Sequence, residues 1–340
     1  MVAPARGERV PADVVGHGCH RRIGRWKPPV GSLASRQLED LPSRTTPDDA
    51  VDCTDGAPHV SERSAVLTDQ PPRYGHLCWA YDDPAGFMTH AVEFLRAGLA
   101  AGERVWFVVS GPTEPIRDHL LGVRNFADAL LTGAAQVRSL DGAYGRTAVI
   151  DPASQVAAYR RATREAVAAG YTGLRVAADA TELVRTAAQR DAFARYEQRV
   201  NEMMRTDPFR AMCAYDRSQL GEPAVAELAC LHPEHNLGQL LFRLYAVPLR
   251  QGQAALAGEL DPSNHDLFRT ALDRADLQPV DDELVLDADG LRFLDHRALI
   301  HLNEYARDRQ VTVVLRAARS GVARLAALLD LPDLRVEVAR

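Results

Sequence analysis

The sequence predicts an α/β protein with two folded regions behind a polar N-terminal extension. Three observations carry this. Between residues 73 and 237, apolar runs of strand length alternate with segments of helical period, which implies a three-layer α/β/α domain. Between residues 238 and 340, two strand-like runs precede a further alternation of helices and strands, which implies a smaller α/β layer. Residues 1–72 hold many Pro, Gly, Ser, Arg and Asp residues without a sustained period and are expected to be disordered.

Taken in order, the extension starts basic (Arg21, Arg22, Arg25, Lys27), turns acidic, and lacks the apolar core of a signal peptide. Folded sequence begins at Tyr74. His76, Cys78 and Ala80 alternate with Leu77, Trp79 and Tyr81 in a strand period of two. Asp83 then caps a helix opening at Pro84, with Phe87, Met88, Ala91, Val92, Leu95 and Leu99 as its buried stripe and Gly102 as its end. Residues 105–109 form a buried strand, so this strand, helix and strand imply a parallel pair. A helical region over 116–131, a strand near Val137 and a long helix carrying Val156, Tyr159, Ala166 and Val167 follow. Residues 174–178 form a strand ending in Asp179. A helix with Phe193, Tyr196, Val200 and Met203 on one face leads to a strand over 212–215 that ends in Asp216. Ligands of such domains usually sit at the carboxyl ends of the strands.

In the second region, strands over 242–247 and 254–260 are joined through Pro248 and Gly252, and a helix buries Leu267, Phe268, Ala271, Leu272 and Ala275. Leu284, Val285 and Leu286 form a strand buried on both faces, followed by a turn, a second short apolar run and Asp295 as the N-cap of a helix with Leu299, Ile300, Leu302 and Ala306. A strand over 311–315, a helix with Val322, Leu325, Leu328 and Leu329, and a strand near Val336 complete the chain.

Composition narrows function. The chain has 340 residues, 46% hydrophobic and 25% charged, with a net charge of -6, which gives no support for nucleic-acid binding. No apolar run reaches the roughly 18 residues of a membrane span. Cys19, Cys53, Cys78, Cys213 and Cys230 contain no Cys-x-x-Cys pair, which fits reduced cytoplasmic thiols. Lys27 is the only lysine, so neither folded region has a phosphate-loop lysine, a Schiff-base lysine or a kinase-type strand lysine. No Gly-x-Ser-x-Gly or His-Glu-x-x-His motif is present, and neither an enzyme nor a cofactor is expected.

The constellation His76-x-Cys78-x-x-Tyr81-Asp82, Gly173-x-Arg175-x-x-x-Asp179, Phe193-x-x-Tyr196-Glu197 and Cys213-Ala-Tyr215-Asp216 resembles the methanogen/methylotroph sensory (MEDS) domain. The resemblance implies a RecA-like α/β/α fold that lacks a phosphate loop and serves as a ligand-sensing input for small hydrocarbon derivatives. It makes His76, Tyr81, Asp179, Glu197, Cys213 and Tyr215 candidate ligand-binding residues, with His232 of Cys230-Leu-His232-Pro added. Asp179, Tyr215 and Asp216 are expected near one another because they lie at or just after strand ends. Cys78 and Cys213 also fit as small buried hydrophobes, and Asp179 as a cap on the next turn. His76, Cys78, Cys213 and His232 are all acceptable metal ligands, but their separations include no short chelating pair and no metal is expected.

Residues 238–340, with Gly258-Glu259-Leu260-Asp261 before one helix and Leu294-Asp295-x-x-x-Leu299 before the next, resemble the sulfate transporter and anti-sigma factor antagonist (STAS) domain. In that family the second helix commonly opens with Asp-Ser-Ser-Gly, and a partner kinase phosphorylates a serine there. Here Asp295 is kept, while His296, Arg297 and Ala298 replace Ser-Ser-Gly, so the phosphorylatable serine is gone. Asp295, His296 and Arg297 then mark a docking surface. His296 could also serve as an alternative phosphoacceptor or pH-sensitive group, but a polar helix-start residue that simply faces solvent or a partner is the stronger reading. The combined expectation is a cytoplasmic regulator that senses a small ligand or partner and docks an anti-sigma factor, a serine-kinase-like protein or another regulatory protein. A non-switching adaptor and an enzyme with Glu197 or Asp179 as base and Cys213 as nucleophile are the alternatives.

Overall fold

A computed structural model describes residues 75–145, 149–247, 252–318 and 320–338, all within one compact unit. The expected disordered extension, Lys27, Cys19, Cys53, Tyr74 and the turn residue Pro248 lie outside the described residues. Two sheets with separate cores make up the unit.

The first sheet is built from β1 (His76–Tyr81), α1 (Pro84–Ala100), β2 (Arg104–Val109), α2 (Glu114–Leu121), α3 (Phe126–Thr132), β3 (Ala135–Ser139), α4 (Leu140–Tyr144), α5 (Pro152–Ala168) and β4 (Leu174–Asp179). It continues through α6 (Ala187–Met204), β5 (Phe209–Asp216), α7 (Arg217–Leu220), α8 (Glu222–Ala229) and β6 (Glu234–His235). The strand order is β3-β2-β4-β5-β1-β6, and every adjacent pair is parallel. Helices α1 and α3 cover one face around Trp79, Phe107, Ala177 and Met212, and α5, α6 and α8 cover the other around Cys78, Val176, Cys213 and Tyr215. This is the three-layer α/β/α arrangement the alternation predicts. Its parallel strands are apolar on both sides because helices lie on both sides.

Local chemistry sets the boundaries. Asp83 accepts from the Ala85 and Gly86 amides at 3.0 Å each, and Pro84 starts α1 without a missing partner. Asp151 and Pro152 repeat the device at α5, and Thr186 with Gln189 forms a capping box at α6. The region expected as one helix over 116–131 is two, because α2 ends at its C-cap Gly122 and Asn125 takes a left-handed φ of 74°. α4, α7, α8 and β6 are short elements that the periodicity did not announce.

The second sheet contains β7 (Phe242–Ala246), β8 (Ala254–Leu260), α9 (His265–Ala275), β9 (Glu283–Asp287), β10 (Leu291–Leu294), α10 (His296–Arg309), β11 (Thr312–Ala317), α11 (Ser320–Leu329) and β12 (Leu334–Val338). β7 runs antiparallel to β8, and the remaining pairs in the order β10-β8-β9-β11-β12 are parallel. β9 pairs with the start of β8 and β10 with its end, so strand, turn and second run together complete one edge of β8. Gly258 sits in that strand with φ of 100°, and a Cβ there would lie 2.1 Å from the Leu241 carbonyl oxygen. Only glycine fits this position of Gly258-Glu259-Leu260-Asp261.

Helices α9, α10 and α11 pack the core of this sheet through Phe268, Leu272, Leu299, Leu302, Tyr305 and Ala326. Three of the apolar residues that mark these helices in the sequence are exposed: Val167 is 45% exposed, Ile300 36% and Leu328 83%. A helical period marks a face without saying how far the covering layer extends.

Candidate functional site

Five of the seven candidate residues of the first domain meet in one closed cluster on the α6 side of the sheet. β1 and β5 are parallel neighbours with His76 opposite Ala211 and Cys78 opposite Cys213, so period-two alternation puts His76, Cys213 and Tyr215 on the same face of the sheet. α6 crosses above them and lowers Glu197 onto the group. The segment after α8 brings in His232. His76, Glu197, Cys213 and His232 each offer an atom within 4.8 Å of the others, and all four are buried.

The contacts have a definite sense. Glu197 Oε2 lies 3.1 Å from His76 Nε2, Glu197 Oε1 lies 3.6 Å from His232 Nε2, and Cys213 Sγ lies 3.5 Å from His76 Nε2. The Tyr215 hydroxyl donates to Glu197 Oε1 at 3.1 Å. On the outer side, His76 Nδ1 donates to Asn201 Oδ1 at 2.8 Å, and Asn201 Nδ2 donates to the Leu231 carbonyl at 3.2 Å. His232 Nδ1 donates to the Leu228 carbonyl at 3.0 Å, and the two imidazole centroids are 4.2 Å apart.

Burial pushes the Glu197 carboxyl up, but the facing His232 and His76 rings and the hydrogen bonds from His76 and Tyr215 outweigh it and hold it below the usual carboxylate range. Burial drives His232 down to about 4, which keeps its ring neutral at pH 7. Burial, then Glu197 and Cys78, push the Cys213 thiol well up. Such a thiol is the reverse of an activated nucleophile.

Tyr81 and Asp179 stand elsewhere, at the carboxyl edge of the sheet. Asp179 Oδ1 accepts from the Thr181 amide at 3.2 Å and hydroxyl at 2.7 Å, and Oδ2 accepts from Ser110 at 3.2 Å, so it ties off the turn after β4. The Thr181 hydroxyl in turn accepts from the Asp216 amide at 3.0 Å. Tyr81 stacks on Phe87 at 4.8 Å, with its hydroxyl pushed up by burial and by Asp179. Asp179 and Asp216 are therefore near one another as expected, but Tyr215 is not with them. Alternation along β5 turns Tyr215 into the core beneath α6, one residue before Asp216 at the edge.

Two further residues change the picture drawn from sequence. Cys78 packs in the same core but is outside the ligand-atom cluster, which contains Glu197 instead. Asn201 was not singled out by sequence. It lies four residues after Glu197, hence on the same helix face, and a buried polar residue at that spacing was the available signal.

α6 also holds the second sheet. Ala194 packs into that sheet's core, Gln198 Nε2 donates to the Leu244 carbonyl at 2.9 Å, and Arg205 reaches the Val247 carbonyl. The Leu244 amide donates to the Cys230 carbonyl at 2.7 Å, two residues before His232. Arg274 of α9 pairs with Asp191 and Glu227 at 2.6 Å each, and Arg190 pairs with Glu227 at 2.7 Å.

In the second domain, Asp295 Oδ1 caps α10 by accepting from the Ala298 amide at 2.9 Å. His296 and Arg297 are exposed at that helix start, three and four residues after Phe293, which is 52% exposed.

Fold and site together define a three-layer α/β/α domain with a sealed polar cluster under one helix layer. Residues 75–233 match the family model MEDS, the MEthanogen/methylotroph, DcmR Sensory domain, a match that suggests a sensing or signalling role. The match ends before β7. Comparison with curated proteins finds no match. No helix among the described residues is long and apolar enough to cross a membrane.

Proposed function

We propose that the chain is a cytoplasmic, non-enzymatic regulator in which the MEDS domain senses a small ligand and the C-terminal domain acts as a STAS-like docking module without a phospho-switch. The observation that carries this reading is the double use of α6. One face presents Glu197 and Asn201 to the cluster, while Ala194, Gln198 and Arg205 hold the second sheet. Any ligand that shifts the cluster therefore moves an element the second domain rests on, which is the physical requirement for a population shift between two states.

A catalytic role is disfavoured by the same geometry. His76, Glu197 and His232 have no solvent exposure, the Cys213 thiol is held protonated, and Asp179 is occupied by Thr181 and Ser110. For docking, support comes from the α10 start, where exposed His296 and Arg297 follow exposed Phe293 and no hydroxyl is available for phosphorylation.

Native purification of the full chain followed by mass spectrometry tests the reading. An anti-sigma factor or a serine-kinase-like regulator should co-purify. Combined Phe293→Asp and His296→Asp substitution should release that partner without lowering the melting temperature. Retention of the partner by the double variant overturns the docking face.

A further inference from the structure

We propose that His76, Glu197, Cys213 and His232 form a closed site for one divalent transition-metal ion, with zinc the ion that the donor set fits. Their ligand atoms lie within 4.8 Å of one another, which leaves room at the centre for an ion and none for an organic molecule. A tetrahedral ion with bonds of about 2.0–2.3 Å holds its N, O and S ligand atoms about 3.3–3.7 Å apart. The cluster already shows 3.1 Å, 3.5 Å and 3.6 Å between its neighbouring ligand atoms.

The hydrogen-bond inventory points the same way. A backbone carbonyl only accepts, so the Leu231 carbonyl turns Asn201 Nδ2 toward itself and Asn201 Oδ1 toward His76, whose Nδ1 must carry the hydrogen. The Leu228 carbonyl fixes His232 in the same tautomer. With Nδ1 of each ring committed to an outer acceptor, Nε2 is the nitrogen that both rings present to Glu197. His232 Nε2 lacks a hydrogen-bond partner despite full burial, while His76 Nε2 stands 3.1 Å from Glu197 Oε2. A cation between them would take Nε2 of both rings, a Glu197 oxygen and Cys213 Sγ as its ligands.

Charge and surroundings also fit. Glu197 and a Cys213 thiolate supply two negative charges, so a dication gives a neutral assembly in a dry interior. On loading, the Cys213 S–H bond breaks, its proton leaves to solvent, and the sulfur forms the metal–thiolate bond. Asn201, the Leu228 carbonyl and Tyr215 are the outer contacts that fix ring tautomer and ligand orientation at metal centres. The site stands on this geometry alone. Only its regulatory meaning rests on the sensory reading, because α6 and the segment leading to His232 carry both the ligands and the contacts to the second sheet.

Elemental analysis of the full chain, purified without chelator, should find about one zinc per chain, as a closed four-ligand site requires. Replacement by Co2+ should give tetrahedral visible bands and a near-ultraviolet thiolate-to-cobalt band. Cys213→Ser should abolish the thiolate band, whereas Cys78→Ser and Cys230→Ser should keep it. Tyr215→Phe preserves the ring and should weaken metal affinity about 10–100-fold in chelator competition. Protein that is metal-free and takes up no Co2+, or a thiolate band that survives Cys213→Ser, overturns the site. A metal-loaded chain whose partner retention is unchanged by metal removal upholds the site and overturns the sensory coupling through it.

Discussion

Asn201 Oδ1 accepts a hydrogen bond from His76 Nδ1 at 2.8 Å, and this one contact decides which nitrogen of His76 faces Glu197. Both residues are buried, so removing the acceptor strands an imidazole N–H. Asn201→Leu should cost about 1–3 kcal/mol of stability in urea denaturation. A cost within the scatter of surface substitutions would show that the ring is held by something else.

Arg175 is 3% exposed and donates to Glu103 at 2.6 Å and to the Phe94 carbonyl at 3.0 Å. Glu103→Ala removes the carboxylate that faces a buried guanidinium and should cost about 3–5 kcal/mol. Glu337→Ala, which breaks surface pairs with Arg316 and Arg335, should cost less than about 1 kcal/mol. Melting curves of the two variants, measured side by side, check the contrast.

Arg274 of α9 joins Glu227 of α8 and Asp191 of α6 across the boundary between the two sheets. A double-mutant cycle with Arg274→Ala and Glu227→Ala should show a coupling of about 0.5–3 kcal/mol. Additive losses would mean that the two domains are held by their apolar contacts alone.

His235 of β6 is held down to about 4, first by burial and then by Arg243 of β7, and its Nδ1 accepts from the Leu237 amide. A depressed histidine makes no demand above the unfolded value of about 6.5, where the ring is neutral in both states. Between about 6.5 and 4 the unfolded chain takes up a proton that the folded chain refuses, so stability falls as pH falls. The loss approaches about 3 kcal/mol near pH 4. His235→Gln should flatten this part of the stability profile relative to the parent protein, and coincident profiles would refute the assignment.

Much of the fold was legible because its signals are local. Period-two runs bounded by Asp83-Pro84, by Gly102 and by Asp295 gave the main strands and helices within a few residues. The split at Asn125 and the short helices α4, α7 and α8 were not legible, since each is set by a few residues whose conformation depends on what packs over them. The site was half legible. His76, Glu197, Cys213, Tyr215 and His232 were each picked out, but nothing in their spacing separated them from Tyr81 and Asp179.

The sequence by itself determined the α/β class, the absence of a phosphate-loop lysine, and the absence of a hydroxyl side chain at the start of α10, because each follows from residue identity or short-range periodicity. Only the tertiary structure decided that His76 meets Asn201 and Cys213 across separations of 125 and 137 residues. Strand order made that decision: β5 lies beside β1 and α6 covers both, a pairing paid for by burial of the whole core and encoded in no single segment. The same packing sent Tyr81 and Asp179 to the sheet edge and left Glu197 facing two histidines in the interior.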